Sequence, residues 1–186
     1  HLAALVAEEA ADAVVVAAGW GTEALAPNLP LAPVAGQADW VEGPTAPPVA
    51  WGGYAVPTGE GLLFGATHDR GKTALAPGDE ASARNLATLD AALPELAGRV
   101  EAAGPTQRRT AVRATTPDRL PMVGALTSSG LYALTGLGSR GFCVAPLLAE
   151  HLSATILGQP SPLPLAYAER LQPLRLAPQP KPGSAA

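Results

Sequence analysis

Cysteine is almost missing. Cys143 stands alone in 186 residues, which excludes an internal disulfide and a thiolate metal cluster. Histidine is nearly as scarce, and His1, His68 and His151 lie far apart along the chain, so no metal site is expected. Positive charge is not in excess. A formal net charge of −4 and a pI near 5.3 argue against a strong electrostatic hold on nucleic acid by this chain alone. Aromatic residues make up 4%, so the apolar mass falls mostly to Ala, Leu and Val. No apolar run reaches the ~18 residues of a membrane span, and no signal peptide is evident; the expected location is cytoplasmic. The chain opens on His1 rather than Met and reads as a piece of something longer.

Hydrophobic residues at 47% are enough to bury a core, and the length suits one domain or two small ones. The most organised stretch is Leu131–Leu157. Leu131-Tyr132-Ala133-Leu134 reads as a short strand. Gly136, Gly138 and Gly141 then surround Ser139 and Arg140, and Val144, Leu148, Leu152 and Ile156 follow at the spacing of one helix face. Such a strand, glycine turn and helix start form an anion site: the first helical N–H groups lack internal partners and the helix dipole is positive there. The literal G-x-G-x-x-G is not a stand-alone ADP-binding unit. That unit needs a second strand after the helix and an acid about 20 residues on. Here Gly158-Gln159-Pro160-Ser161-Pro162-Leu163-Pro164 follows, and its prolines cannot sit in a central strand. Two readings remain: a helix mouth aimed at a cofactor seated by another part of the protein, or a tight turn that only packs.

Earlier in the chain, residues 2–10 suggest an Ala-rich helix. Val14 to Ala18 is an unbroken apolar run, as expected of a parallel strand buried on both faces. Gly19-Trp20-Gly21 stops it. Ligands of open α/β sheets sit at the carboxyl ends of strands, so Ala18 and Gly19 are candidate cofactor contacts, or simply a strand stop. Residues 34–41 suggest another strand. Residues 51–57 and 61–67 suggest a hairpin about Thr58-Gly59-Glu60, with Tyr54 facing either a substrate or the sheet. His68 and Asp69 are expected to be solvated turn residues. Asp79 is expected to cap a helix through Leu93, stopped by Pro94, and residues 98–107 to be a polar connection. Residues 108–121 hold four arginines. Arg113, beside an apolar strand, could grip a carboxylate with two bonds or pair with Asp118; Arg108, Arg109 and Arg119 are expected to be solvated. Residues 163–175 suggest a short helix over the sheet, and 177–186 a disordered tail.

Val112-Arg113, Asp118-Arg119-Leu120-Pro121-Met122-Val123-Gly124, Gly136-Leu137-Gly138-Ser139-Arg140-Gly141, Ala145-Pro146-Leu147 with Glu150, and Gly158-Gln159-Pro160 together resemble the C-terminal part of the D-amino-acid-oxidase-like FAD oxidoreductases. Within that superfamily they look most like the oxidase domain of the bifunctional enzymes that make 5-methylaminomethyl-2-thiouridine in tRNA, on the Ser-Arg-Gly loop before Ala-Pro-Leu. Residues 11–19, Gly36-Gln37, Tyr54, Pro57 and Gly65-Ala66-Thr67 fit as well.

The resemblance implies an α/β (α+β) fold: an incomplete FAD-binding Rossmann-like domain with an inserted, mainly antiparallel substrate domain. Residues 1–28 and 111–176 would be flavin-domain segments, 29–110 the substrate domain and 177–186 a tail. The family's N-terminal glycine fingerprint and the methyltransferase domain of the bifunctional members are not in this chain. The implied cofactor is FAD, contacted by Ala18, Gly19, Gly138, Ser139, Arg140 and Gly141. The implied substrate contacts are Arg113, on the carboxylate, and Tyr54. The implied reaction is oxidation of the carboxymethylaminomethyl group of wobble 2-thiouridine in tRNA, releasing glyoxylate. Oxidation of a free small amino acid of the glycine or sarcosine kind is the alternative enzyme, and a non-catalytic fragment the alternative from another class.

Overall fold

The computed structural model of the chain describes residues 11–127 and 129–176, so the helix expected over 2–10 and the tail expected over 177–186 lie outside the described residues. The strands are β1 (Val14–Val16), β2 (Ala32–Glu42), β3 (Val49–Ala50), β4 (Tyr54–Pro57), β5 (Gly61–Gly65), β6 (Asp69–Arg70), β7 (Gln107–Thr115), β8 (Met122–Ala125) and β9 (Leu131–Thr135). The helices are α1 (Thr22–Leu25), α2 (Asp79–Ala92), α3 (Pro94–Ala103), α4 (Gly141–Ile156) and α5 (Leu165–Leu171). Short 3-10 turns at Gly19–Gly21 and Gly138–Arg140 lead into α1 and α4, and another at Pro173–Leu176 follows α5. The fold is mixed α/β, as the two strand styles in the sequence imply. Two compact units divide it: His1–Ala32 with Arg113–Ala186, and Pro33–Val112.

The first unit is built on a three-stranded sheet in the order β1-β9-β8. β1 runs parallel to β9, with Val14 opposite Leu131 and Val16 opposite Ala133; β8 is antiparallel to β9. Alternation along β8 and β9 sends Met122 and Ala133 into one cluster with Leu29, and Val123 into another with Leu148 and Leu152 of α4. Val144 and Ile156 pack at the edge of the second cluster, so the four-residue apolar spacing is the face α4 turns to the sheet. The expectation that β1 is buried on both faces does not hold. Val16 is 4% exposed but Val15 is 42% exposed, because only one face of this strand is covered among the described residues. The short C-terminal helix forms and packs on β8, though its buried residue is Ala168 and Tyr167 is exposed.

The second unit is a sheet in the order β3-β4-β5-β2-β6, with β7 beside β2. The expected hairpin is β4–β5, with Tyr54 opposite Gly65 and Pro57 opposite Leu62. Leu62 and Phe64, two apart on β5, point to the same side and meet Leu89 of α2 and Leu96, Ala97 and Val100 of α3. Burying side chains of this size stabilises by roughly 1.5–3 kcal/mol each. A polar knot ties α2 to β2. Asp39, fully buried, accepts from Asn85 Nδ2 at 2.6 Å, Ser82 Oγ at 2.5 Å and Gln37 Nε2 at 3.1 Å.

Three expectations fail here for local reasons. Gly78, not Asp79, is the N-cap of α2, and the helix ends at Ala92; the Asp79 carboxylate pairs with Arg108 instead. Pro94 stands where α2 stops, as expected, but it also opens α3, where its missing N–H is not needed. Residues 98–103 are therefore helical rather than a connection. Asp69 is not a solvated turn residue: it lies in β6 and accepts two bonds from Arg84, at 3.1 and 3.0 Å, which hold its carboxyl below the ordinary value.

Candidate active site

Because β1 and β9 are parallel neighbours, their carboxyl ends open on the same edge of the sheet, the edge where open α/β sheets bind ligands. Two loops leave that edge: Ala17–Gly21 after β1, and Gly136–Arg140 after β9. Thr135 Oγ1 donates to the Gly19 carbonyl across them, at 3.4 Å. Both loops turn on glycines with left-handed backbone. Gly19 and Gly138 have φ of +56°, and a Cβ at Gly19 would meet nothing within 4 Å. Gly136 is tighter: at φ +68° its Cβ would lie 2.6 Å from Thr116 Cγ2.

The loop after β9 delivers the chain into the N-terminus of α4, and no side chain caps that end. The amides of a helix's first turn have no partner further along the helix. Phe142, in that first turn, is fully exposed. Thr22, at the start of α1, is fully buried, yet its hydroxyl has no partner among the described residues. Open glycines and a positive helix end suit an electron-rich group lying at this sheet edge.

Ala18 and Gly19 are exposed at the end of β1; Ser139 and Arg140 are exposed and Gly138 and Gly141 half-buried at the mouth of α4. All six belong to the first unit. Arg140 Nη2 donates to the Arg119 carbonyl at 3.4 Å. Arg113 is half-buried on β7. Two residues further on, Thr115 has its Cγ2 3.7 Å from where a Cβ at Gly138 would be. Side chains two apart on a strand share a face, so Arg113 shares a face of β7 with Thr115. Tyr54 lies on β4 in the second unit and is half-buried opposite Gly65.

The pairing of Arg113 with Asp118, one of the two sequence readings, is not found. Arg175 takes Asp118 instead, with Nε to Oδ2 at 2.9 Å and Nη2 to Oδ1 at 3.0 Å. That guanidinium, helped by the Leu120 amide, holds the Asp118 carboxyl down at about 2. Sequence reasoning also missed Thr115 and Thr116 as the residues against the glycine loop. Thr-Pro-Asp is a turn signature from which the turn, though not among the expectations, was legible. Its docking on the loop was not, because nothing local marks it.

Comparison with known proteins gives the family. A family model described as FAD dependent oxidoreductase matches residues 3–155. The chain is 55% identical over 163 residues to the tRNA 5-methylaminomethyl-2-thiouridine biosynthesis bifunctional protein MnmC of Caulobacter vibrioides, a match covering 87% of this chain and 27% of that protein. It is 44% identical to the protein of the same name from Maricaulis maris, over 88% of this chain and 27% of that one. The chain thus spans about a quarter of the length of these relatives, from the 27% coverage of each. Glycine oxidase from Geobacillus kaustophilus superposes with a TM-score of 0.72 at 25% identity, over 83% of this chain and 44% of that chain. Iminodiacetate oxidase from Chelativorans sp. BNC1 gives 0.73 at 23% identity, over 88% and 46%, a likeness of fold. FAD is the cofactor of the matched family, and the open Gly19 and the mouth of α4 leave space at this sheet edge for an electron-rich group. By the family match and these relatives, the chain belongs to the FAD dependent oxidoreductases of the D-amino-acid-oxidase type.

Proposed function

We propose that this chain is the C-terminal part of an enzyme that oxidises the carboxymethylaminomethyl group of wobble 2-thiouridine in tRNA, releasing glyoxylate and leaving the aminomethyl nucleoside. FAD, when bound, supplies the hydride acceptor. The first unit serves as the chain's share of the flavin domain and the second as its substrate domain. The observation that carries the reading is the shared strand face of Arg113 and Thr115, with Thr115 against Gly138. An arginine on that side is a planar fork for the substrate carboxylate, two atoms from the nitrogen being oxidised. Fixing the carboxylate orients the N–CH2 bond before reaction.

Gly138, Ser139, Arg140 and Gly141 contribute at the mouth of α4, where amide hydrogens stabilise negative charge that develops during reduction. Ala18 and Gly19 line the same edge. Tyr54 is kept as a second substrate contact on sequence resemblance. In the full-length protein the partners are tRNA and a methyltransferase domain in the same polypeptide, in the cytoplasm. Support for tRNA over a free amino acid comes from the relatives at 55% and 44% identity, both named for tRNA modification.

A second reading rests on the solved structures. Glycine oxidase and iminodiacetate oxidase are named for amines that carry a carboxymethyl group, and the Arg113 clamp would suit such free substrates equally. The two are separated with the full-length flavoprotein. Glyoxylate is measured from tRNA lacking the final modification and from glycine, sarcosine and iminodiacetate. Turnover of tRNA at least about 100-fold more efficient, about 2.7 kcal/mol in transition-state binding, supports the first reading; comparable or better turnover of the free amines refutes it.

A further inference from the structure

We propose that Arg175, far along the chain and outside the helix mouth, is a positioning residue for the cofactor loop, acting through the turn Thr116–Leu120. The inference rests on the reading of Gly138–Gly141 as flavin contacts and adds the device that holds them.

Arg175 is 13% exposed at its side chain, and its three guanidinium nitrogens are all engaged. Besides the two bonds to Asp118, Nη2 donates to the Leu120 carbonyl at 2.8 Å, and Nη1 donates to the Leu171 and Gln172 carbonyls, each at 3.1 Å. The fork therefore joins the end of α5 to both arms of the turn. Inside the turn Asp118 Oδ1 accepts from the Leu120 amide at 3.1 Å, the Arg119 amide donates to the Thr116 carbonyl at 3.1 Å, and Thr116 Oγ1 donates to the Leu120 carbonyl at 2.7 Å. Arg119 is held at φ +62°, the one non-glycine residue with positive φ among the described residues. A residue persists in that region when its surroundings over-determine it, and this bonding does so.

What the turn and the adjoining end of β7 brace is the glycine loop, at three places. Thr116 Cγ2 fills the space beside Gly136, Thr115 Cγ2 lies beside Gly138, and the Arg119 carbonyl accepts from Arg140. Elsewhere, Leu137 of the loop packs against the cluster of Val123, Leu148 and Leu152, and Thr135, just before the loop, donates to the Gly19 carbonyl. A cofactor loop needs its amides held within a fraction of an ångström, and that precision comes from the residues behind it. A bidentate, nearly buried arginine supplies it here; lysine, with one compact charge, does so only in part.

The test uses the full-length holoenzyme with Arg175→Met, Asp118→Asn and Arg175→Lys, and Gly138→Ala as a control on the loop itself. The flavin dissociation constant is measured well below each melting temperature, and amide exchange over residues 136–141 is followed in the flavin-free protein. We expect Arg175→Met and Asp118→Asn each to weaken flavin binding by about tenfold or more and to speed that exchange, with Arg175→Lys between them and the wild type. If both variants melt earlier yet bind flavin as the wild type and exchange no faster, the clamp is only structural and the inference is overturned. If Gly138→Ala weakens flavin binding while they do not, the inference alone fails. If Gly138→Ala leaves binding unchanged as well, the reading of the loop fails and takes the inference with it.

Discussion

Two glycines at opposite ends of α4 separate cofactor contact from backbone strain. Gly138 precedes the helix at φ +56°, and Gly158 follows it at φ +63°. A Cβ at Gly158 would meet nothing within 4 Å, and one at Gly138 would make an ordinary contact, 3.7 Å from Thr115 Cγ2. Alanine at either position therefore costs the left-handed backbone penalty, about 1–2 kcal/mol, with little added clash. For a protein domain of this size that lowers Tm by roughly 2–8 °C. On stability the two variants are predicted to match. On flavin they are predicted to part. The Gly138 methyl would stand against Thr115 within the loop whose amides face the ring and would shift that loop, while the Gly158 methyl would project into solvent some 20 residues away. We expect Gly138→Ala to weaken FAD binding in the full-length protein by at least about tenfold, worth about 1.4 kcal/mol, and Gly158→Ala to leave it within about twofold. Fluorescence titration of flavin-free protein measures both constants, and thermal melts check the stability match. Equal flavin affinity in the two variants would refute the argument, whatever their melting temperatures.

Arg113→Ala is expected to raise KM for the carboxylate-bearing substrate by about 10- to 150-fold, the loss of a charge-assisted pair of bonds worth about 1.5–3 kcal/mol, with flavin content unchanged; steady-state kinetics and the absorbance spectrum check it. Asp118→Asn is expected to cost about 1 kcal/mol at pH 7, a figure discounted because the Asp118 side chain is 32% exposed. The Asp118 carboxyl is held down to about 2 from 3.8, so its contribution is complete above about pH 4 and lost as pH falls towards 2. Urea melts at both pH values should show the deficit at pH 7 and its disappearance at the acid end. His151 is buried on α4 with Nδ1 2.7 Å from Ser161 Oγ and Nε2 without a partner among the described residues. Burial lowers its pKa below the ordinary 6.5, so the unfolded chain takes up a proton that the folded chain refuses. Stability should fall as pH drops below about 6.5, by no more than about 1.4 kcal/mol per pH unit, and His151→Gln should flatten that limb in denaturant melts from pH 7 to 5.

What the sequence disclosed and what it hid divide along the range of the interactions. The β9–glycine–α4 segment was legible because its signals are local: an apolar run, three glycines and Val144, Leu148, Leu152 and Ile156 at one spacing. The β4–β5 hairpin was legible for the same reason. Pro94 marked the end of α2 correctly but hid the start of α3, because proline stops one helix and is equally at home in the first turn of the next. Val15 misled because a β-branched run signals burial without saying which face is covered. The Arg175–Asp118 clamp was hidden outright. Its partners are 57 residues apart, and Asp118 had a nearer candidate in Arg113. Thr22 gave no signal, since an orphan hydroxyl is defined by its surroundings.

The most direct test of the account is amide hydrogen exchange, read by mass spectrometry on peptides spanning residues 136–145 and 153–162 of the full-length protein, with and without FAD. The account predicts strong slowing on FAD binding at Gly138, Gly141 and Phe142, with none at the far end of α4 around Gly158. Exchange at the helix mouth that is the same in both states would contradict it.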